Sequence, residues 1–116
     1  MNSELAVTVR KGPGFAVIYT DGYVNNLGGE KIGETARSLL DEGVRHFVIN
    51  MEKSTVVNSI GVSILIELIE RIQEHDGKIF FCNLTKVIAK TFTIMGLAQF
   101  AGIEETEEAA LAALSA

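Results

Sequence analysis

The sequence has few of the features that mark secreted, membrane or nucleic-acid-binding proteins. Its 116 residues include one cysteine, Cys82, so no internal disulfide can form. Charged residues interrupt every apolar segment before it reaches the roughly 20 residues that a membrane-spanning helix needs. The ten basic residues are scattered along a chain of net charge -5, which argues against binding to a nucleic-acid backbone. We therefore expect neither membrane insertion nor direct contact with nucleic acid.

Motifs for catalysis or cofactor binding are also missing. His46 and His75 have no cysteine or glutamate at metal-ligand spacing around them. The glycines at 12–14 and 28–29 do not match a phosphate-binding loop. Cys82 lies in an apolar run, which favours a buried and inert thiol over a nucleophile. The sequence thus predicts no enzymatic activity, no cofactor and no metal.

Length and composition favour one globular domain over residues 1–116. Hydrophobic residues make up 47% of the chain and charged residues 22%, with a single proline. At this size one core can hold the fold without disulfides or metal. The first four residues are polar and acidic, unlike a secretory signal, so we expect the protein to stay in the cytoplasm.

The pattern of apolar residues predicts an initial β-hairpin and then alternating helices and strands. The hairpin strands cover 5–10 and 15–19, separated by turn residues. The remaining segments are predicted helices at 29–40, 60–75, 85–95 and 106–114, and predicted strands at 45–50, 78–83 and 100–103. Parallel neighbours need crossover helices, so this order predicts an α/β fold. We expect one mixed sheet, an N-terminal antiparallel hairpin followed by parallel strands, with four helices packed against it.

The most informative segment is the loop Thr55-Val56-Val57-Asn58-Ser59-Ile60-Gly61, where a predicted buried strand gives way to a helix. In α/β domains functional residues gather at such strand ends. Ser59 falls at or next to the helix N-cap, where its side-chain oxygen can accept a hydrogen bond from a free backbone N–H. A phosphoryl group on Ser59 would meet the same N–H groups and the positive end of the helix dipole. Local physics alone favours the structural cap and leaves the modification site open.

Other polar residues near this loop and at the C-terminus have simpler interpretations. We interpret Ser54 and Thr55 as turn residues, not as second phosphate acceptors. The acidic segment 104–108 solvates and caps the start of the last helix, with Thr106 as N-cap. A partner contact there is the less favoured alternative.

The order of these elements and several short motifs resemble the STAS domain of the bacterial anti-sigma factor antagonists. In chain order the motifs are Asp21-Gly22-Tyr23-Val24, Arg45-His46-Phe47-Val48-Ile49-Asn50, Asn58-Ser59-Ile60-Gly61, Gly77-Lys78-Ile79, Lys86-Val87-Ile88-Ala89-Lys90 and Met95-Gly96-Leu97. The likeness covers nearly the whole chain. In that family the loop reads Asp-Ser-(Ser/Thr)-Gly, and a partner kinase, itself the anti-sigma factor, phosphorylates the serine after the acidic residue. Matched by position, Ser59 is that serine.

The resemblance implies a phosphorylation-controlled binding protein. Unphosphorylated, it would sequester an anti-sigma serine kinase and so release a sigma factor; phosphorylated, it would let go until a serine phosphatase resets it. ATP and magnesium would belong to the kinase. The partner-binding residues implied by the resemblance are Gly22, Tyr23, Asn25, Thr55, Val56, Asn58, Ser59, Gly61 and Val62.

Three positions depart from the family pattern. Asn25 and Asn58 stand where the family has aspartates, and Ile60 replaces a small hydroxyl residue. An amide keeps the size and a hydrogen-bond acceptor but loses the negative charge, so it can order the loop without helping to activate the hydroxyl. The alternative function is therefore a STAS scaffold or accessory subunit, in a signalling assembly or under a membrane transporter, that binds without being switched.

Overall fold

Over residues 4–116, which the structure describes, this computed structural model contains one five-stranded sheet and four α-helices. The strands are β1 (Ala6–Gly12), β2 (Phe15–Asp21), β3 (His46–Lys53), β4 (Lys78–Cys82) and β5 (Gly102–Glu104). The helices are α1 (Asn26–Asp41), α2 (Ser59–Glu74), α3 (Lys86–Ile94) and α4 (Glu107–Leu114), and a short 3-10 turn covers Leu97–Gln99. The sheet order is β1-β2-β3-β4-β5; β1 is antiparallel to β2 and all other pairs are parallel. The predicted mixed sheet is confirmed.

Differences from the predicted bounds have local causes. Helix α1 begins three residues before the predicted position 29, because Asn25 caps it and Gly28 and Gly29 lie inside its first turns. Strand β3 continues past the predicted end at 50, since one residue of β2 opposes two of β3 where the pairing shifts between Tyr19 and Asp21. The last strand begins at Gly102, after the 3-10 turn.

The two faces of the sheet are covered unequally. Successive side chains of a strand point to opposite faces, so each buried strand serves two cores. Helices α1, α2 and α3 pack on one face, where the largest buried side chains are Phe47, Phe81, Phe92, Ile18, Ile32, Ile49, Met51, Leu65, Ile69, Ile72, Ile88 and Leu97. Helix α4 covers a smaller core on the other face, built on Val17, Val48 and Cys82.

Nowhere in residues 4–116 is there a helix long and apolar enough to span a bilayer.

Glu107, the first residue of α4, joins that helix to three strands. Its carboxylate accepts hydrogen bonds from the Arg10 guanidinium at 2.7 Å, the Tyr19 hydroxyl at 3.0 Å and the Asn50 amide at 3.0 Å. The Asn50 side-chain oxygen in turn accepts a hydrogen bond from the backbone N–H of Glu52, 3.0 Å away, inside the β3 irregularity. Thr106 caps α4 as predicted. Glu107 thus anchors α4 to the sheet, in addition to the solvation and capping that the sequence favoured for this segment.

These contacts change the pKa of the Glu107 carboxyl. Partial burial acts to raise its pKa, but hydrogen bonds from Arg10, Asn50 and Tyr19 outweigh burial and hold the pKa below the usual value. In the unfolded chain the carboxyl has its ordinary pKa, so folding favours the ionised form. This stabilisation is therefore present above the ordinary carboxyl pKa and is lost as the pH falls through the lower value of the folded state.

Replacing Glu107 by glutamine keeps the shape of the side chain and removes its charge. We expect the free energy of unfolding to fall by about 1 kcal/mol at neutral pH, because charge-assisted hydrogen bonds contribute more than neutral ones. The difference from the wild type should shrink in acid, as the wild-type carboxyl protonates. Urea denaturation of both proteins at several pH values from about 3 to 7 measures this. Glu108→Gln is the control, since Glu108 is exposed in the same helix turn; equal losses in both variants would assign the effect to the helix dipole.

Candidate functional site

The loops that precede α1 and α2 are joined to each other at the carboxyl edge of the sheet. Val24 and Val57 form an isolated parallel bridge. The backbone N–H of Val24 donates to the carbonyl of Val56 at 3.0 Å, and the N–H of Asn58 donates to the carbonyl of Val24 at 3.1 Å. Helices α1 and α2 therefore begin side by side.

Asn58 is the N-cap of α2, and Ser59 is the first residue of the helix. The Asn58 side-chain oxygen accepts a hydrogen bond from the backbone N–H of Gly61 at 2.8 Å. The capping bond that the sequence offered to Ser59 thus belongs to its neighbour, because the chain enters the helix one residue earlier than a serine cap requires. Ser59 is exposed, and no other described residue bonds its hydroxyl. That hydroxyl faces solvent at the positive end of the helix dipole.

Asn25 caps α1 with the same geometry. Its side-chain oxygen accepts a hydrogen bond from the N–H of Gly28 at 2.8 Å. The two amides that replace the family's aspartates therefore both order a helix start, as an amide oxygen can. Neither α1 nor α2 has an acidic residue in its first turn, so the negative charge that an aspartate cap would bring to this edge is missing.

Gly61 and Val62 were predicted to contact a partner, and the structure has both of them buried. Val62 has no exposed surface, and Gly61 is also buried. A Cβ at Gly61 would overlap the carbonyl oxygen of Val24 and lie 3.0 Å from that of Asn25. Gly61 thus lets α2 approach the loop before α1 closely, while Val62 belongs to the hydrophobic core. A bulky residue at 61 would disturb the fold before it blocked a partner.

The other predicted contact residues lie along the same edge with differing exposure. Thr55 and Val56 are exposed, while Gly22, Tyr23, Asn25 and Asn58 are half-buried. Gly22 adopts φ +126° and its N–H donates to the carbonyl of Lys53 at 3.1 Å, which makes it chiefly a turn residue.

Sequence reasoning missed a buried pair of hydroxyl groups beneath the loop. Ser54 was interpreted as a turn residue, but its side chain is fully buried, and its hydroxyl lies 2.8 Å from that of Thr20. This hydrogen bond ties the start of the loop to β2. The only signal in the sequence was the threonine that directly follows the predicted strand 15–19.

The ionisable residues that sequence analysis set aside do not join this edge. Cys82 is buried on the α4 face, and burial, together with the negative charges of Glu107 and Glu52, raises the pKa of its thiol to about 12. The prediction of a buried cysteine is confirmed, and a thiol protonated at neutral pH is a poor nucleophile. In the described part of the chain no three His, Cys, Asp or Glu side chains are grouped as metal ligands.

Comparison with known proteins assigns the chain to a family. The family model of the STAS domain matches residues 6–110. The chain belongs to the STAS domain family. A protein of Bordetella bronchiseptica, BtrV, whose name places it among the anti-sigma factor antagonists, is 22% identical over 109 residues, covering 94% of each chain.

Two solved structures show the same fold at low sequence identity. An anti-sigma factor antagonist from Mycobacterium paratuberculosis superposes with a TM-score of 0.87 at 16% identity, covering 100% of this chain and 98% of the other. The phosphorylated form of the Bacillus cell fate determinant SpoIIAA has a TM-score of 0.71 at 20% identity, covering 93% of this chain and 98% of its own. The resemblance to STAS domains is thereby confirmed.

Gly61→Ala tests whether the joined loops depend on the absence of a side chain at this position. We expect a loss of about 2 kcal/mol or more in the free energy of unfolding, because the new methyl group would press on backbone atoms that cannot rotate away. Thermal or urea denaturation measures it. Ser63→Ala, an exposed substitution in the same helix, should change stability by less than about 0.5 kcal/mol. A Gly61→Ala variant as stable as the wild type would show that the two helix starts are free to separate.

Proposed function

We propose that the protein is an anti-sigma factor antagonist that sequesters an anti-sigma serine kinase and so releases a sigma factor, and that phosphorylation of Ser59 ends this binding. The observation that carries the proposal is the position of Ser59. Its hydroxyl is exposed at the first residue of α2, beside two loops that are hydrogen-bonded to each other. A kinase can therefore reach the hydroxyl without unfolding the domain.

The relatives support the same assignment. BtrV and the mycobacterial protein bear names of anti-sigma factor antagonists, and SpoIIAA has been solved in a phosphorylated form. The chain and these relatives cover one another almost completely, so the comparison concerns the whole domain. The function itself is binding without catalysis: ATP and magnesium would come with the kinase, and the phosphate would be removed by a serine phosphatase. Such an exchange would take place in the cytoplasm, where sigma factors act.

A phosphate on Ser59 suits the fold but opposes a protein contact. At the first residue of a helix its nearly two negative charges meet free backbone N–H groups and the positive end of the dipole. No acidic residue in the first turn of α1 or α2 repels it. At the centre of a partner interface the same charge must be desolvated, which costs several kcal/mol unless the partner supplies cations, and every 1.4 kcal/mol is about ten-fold in affinity. Phosphorylation would thus change binding and leave folding intact.

Asn25 and Asn58 set a condition on the kinase. Both side-chain oxygens cap helices, and neither side chain carries the charge needed to attract a metal ion or to accept the hydroxyl proton. The kinase would therefore have to supply the base and all charged metal ligands. A kinase that cannot do so would bind the protein without modifying it, and this would make the chain a STAS scaffold.

Phosphorylation at Ser59 is tested with the purified cognate anti-sigma factor and labelled ATP. We expect one phosphate per chain, mapped to residue 59, and no label on Ser59→Ala. The matched control is Ser63→Ala, which removes an exposed hydroxyl one turn further along α2 and should be labelled like the wild type. Tight binding with no label, unchanged by ATP and by Ser59→Ala, would favour the scaffold and contradict the switch.

Ser59→Asp separates binding from stability. We expect the dissociation constant for the anti-sigma factor to rise by about ten-fold or more, since a charge is buried at the contact. The melting temperature should change little, because residue 59 is exposed and an acidic side chain is favourable in the first turn of a helix. Calorimetric titration measures the dissociation constant, and thermal denaturation measures the melting temperature. If the aspartate lowered the melting temperature strongly and left affinity intact, residue 59 would be a structural position.

A further inference from the structure

The two outer strands of the sheet differ in how they are protected against pairing with another strand. Strand β5, at one side, covers only Gly102–Glu104. Strand β1, at the other side, covers Ala6–Gly12 and pairs with β2 in an unbroken register. Within residues 4–116 no strand pairs with the outer side of β1. Short length, prolines and bulges usually protect an edge strand, and β1 has none of these.

Every second residue of β1 directs its backbone N–H and C=O groups away from β2. Gly12 and Phe15 flank the two-residue loop of the hairpin and pair with each other, so the backbone groups of Gly12 face β2. Because this direction alternates along an antiparallel strand, the backbone groups of Val7 and Val9 face outward. The outer side of β1 therefore presents donors and acceptors at the spacing that another strand needs.

The two basic side chains of β1 are paired within their own chain. Charged side chains, above all lysine, protect an edge strand by repelling a strand that approaches it. The Arg10 guanidinium donates to the Glu107 carboxylate at 2.7 Å and lies 5.8 Å from the centre of the Phe15 ring. The Lys11 ammonium donates to the Glu42 carboxylate at 3.0 Å. Both pairings weaken the repulsion that two approaching β1 strands would otherwise feel.

The sequence of β1 is complementary to itself when two copies run antiparallel about Thr8. In that register Thr8 faces Thr8 of the second copy, and Val7 of each copy lies opposite Val9 of the other. The two valines point to one face of the sheet, where Val7 packs against the main core and Val9 is 40% exposed. Arg10 falls opposite Ala6, so no like charges face each other. A two-fold interface requires such self-complementarity, which indicates a second copy of this chain as the occupant.

We propose that the protein forms a symmetric dimer in which the β1 strands of two copies pair antiparallel about Thr8 and join the two sheets into one. The inference goes beyond the proposed function and does not depend on it. The two copies run in opposite directions, so the edges that carry Ser59 lie at opposite ends of the joined sheet and remain accessible. Since the contact is one strand wide, we expect a dimer that forms at high protein concentration.

Dimer formation is tested by sedimentation equilibrium of the wild type from about 5 to about 500 μM, a range that suits a small interface. We expect the mass to rise from that of the monomer to that of the dimer. Thr8→Lys places two like charges opposite each other and should raise the dissociation constant of the dimer by about ten-fold or more. Mixing Thr8→Lys with Thr8→Glu should restore association as a heterodimer.

Thr93→Lys is the matched control, because it makes the same change at an exposed threonine of α3, far from β1 in the sheet order. It should dimerise like the wild type. Thr8 is also exposed, so all variants should melt close to the wild type when measured at about 5 μM, where dimerisation does not contribute to stability.

Amide hydrogen exchange identifies the strand at the contact. In the monomer the N–H groups of Val7 and Val9 face solvent, whereas in the dimer they donate to the second copy. We expect their exchange to slow by about ten-fold or more from the lowest to the highest protein concentration. The amides of β5, at the other side of the sheet, are the control and should exchange at the same rate throughout.

The outcomes separate this inference from the proposed function. A wild type that stays monomeric up to about 500 μM overturns the dimer. A dimer that Thr8→Lys leaves intact, or one that leaves exchange at Val7 and Val9 unchanged, also overturns it, since the copies would then meet elsewhere. Protection of Val7 and Val9 only on addition of the anti-sigma factor would assign β1 to that protein instead. None of these results alters the labelling of Ser59, so each proposal can fail alone.

Discussion

The contact between Gly61 and the carbonyl of Val24 is the constraint on which the carboxyl edge of this domain depends. No side chain fits between them, so α2 must begin where the loop before α1 ends. The bridge between Val24 and Val57 then fixes the two loops to each other, and each loop places an asparagine at the start of a helix. The exposure of Ser59 is a consequence of this geometry, since residue 61 must point inward and residue 59 lies on the opposite side of the first turn.

The other face of the sheet is connected to the same edge through Asn50. Its amide group donates to Glu107 of α4, and its oxygen accepts from the Glu52 N–H in the irregular part of β3. Beyond that irregularity the chain reaches Ser54, whose hydroxyl is tied to Thr20. The loop that carries Ser59 therefore starts from a point that is fixed to β2.

The spacing of apolar residues predicted the order of strands and helices. Strands buried on both faces are continuously apolar, and helices that bury one face have apolar residues at helical spacing. The details that the sequence did not predict are those that depend on contacts between residues distant from each other in the chain. Ser59 was expected at or next to the N-cap of α2; it lies next to the cap, and which of the two residues makes the capping bond was left open by the sequence. The start of α1 was missed because Gly28 and Gly29 lower helix propensity, although close packing requires them there. Glu107 and its donors are far apart in sequence, so no local pattern reveals the anchor.

The two asparagines affect both states of the proposed switch. An aspartate cap would stand beside a phosphate on Ser59 and repel it, whereas Asn58 keeps the cap and carries no charge. The same substitution removes a charge that a bound partner would have to desolvate. The first effect stabilises the phosphorylated chain, and the second stabilises the unphosphorylated complex. The remaining difference lies in the transfer step, where a missing carboxylate slows the reaction unless the kinase supplies its own. The amides therefore favour a switch whose two states are both long-lived and whose rate is set by its enzymes.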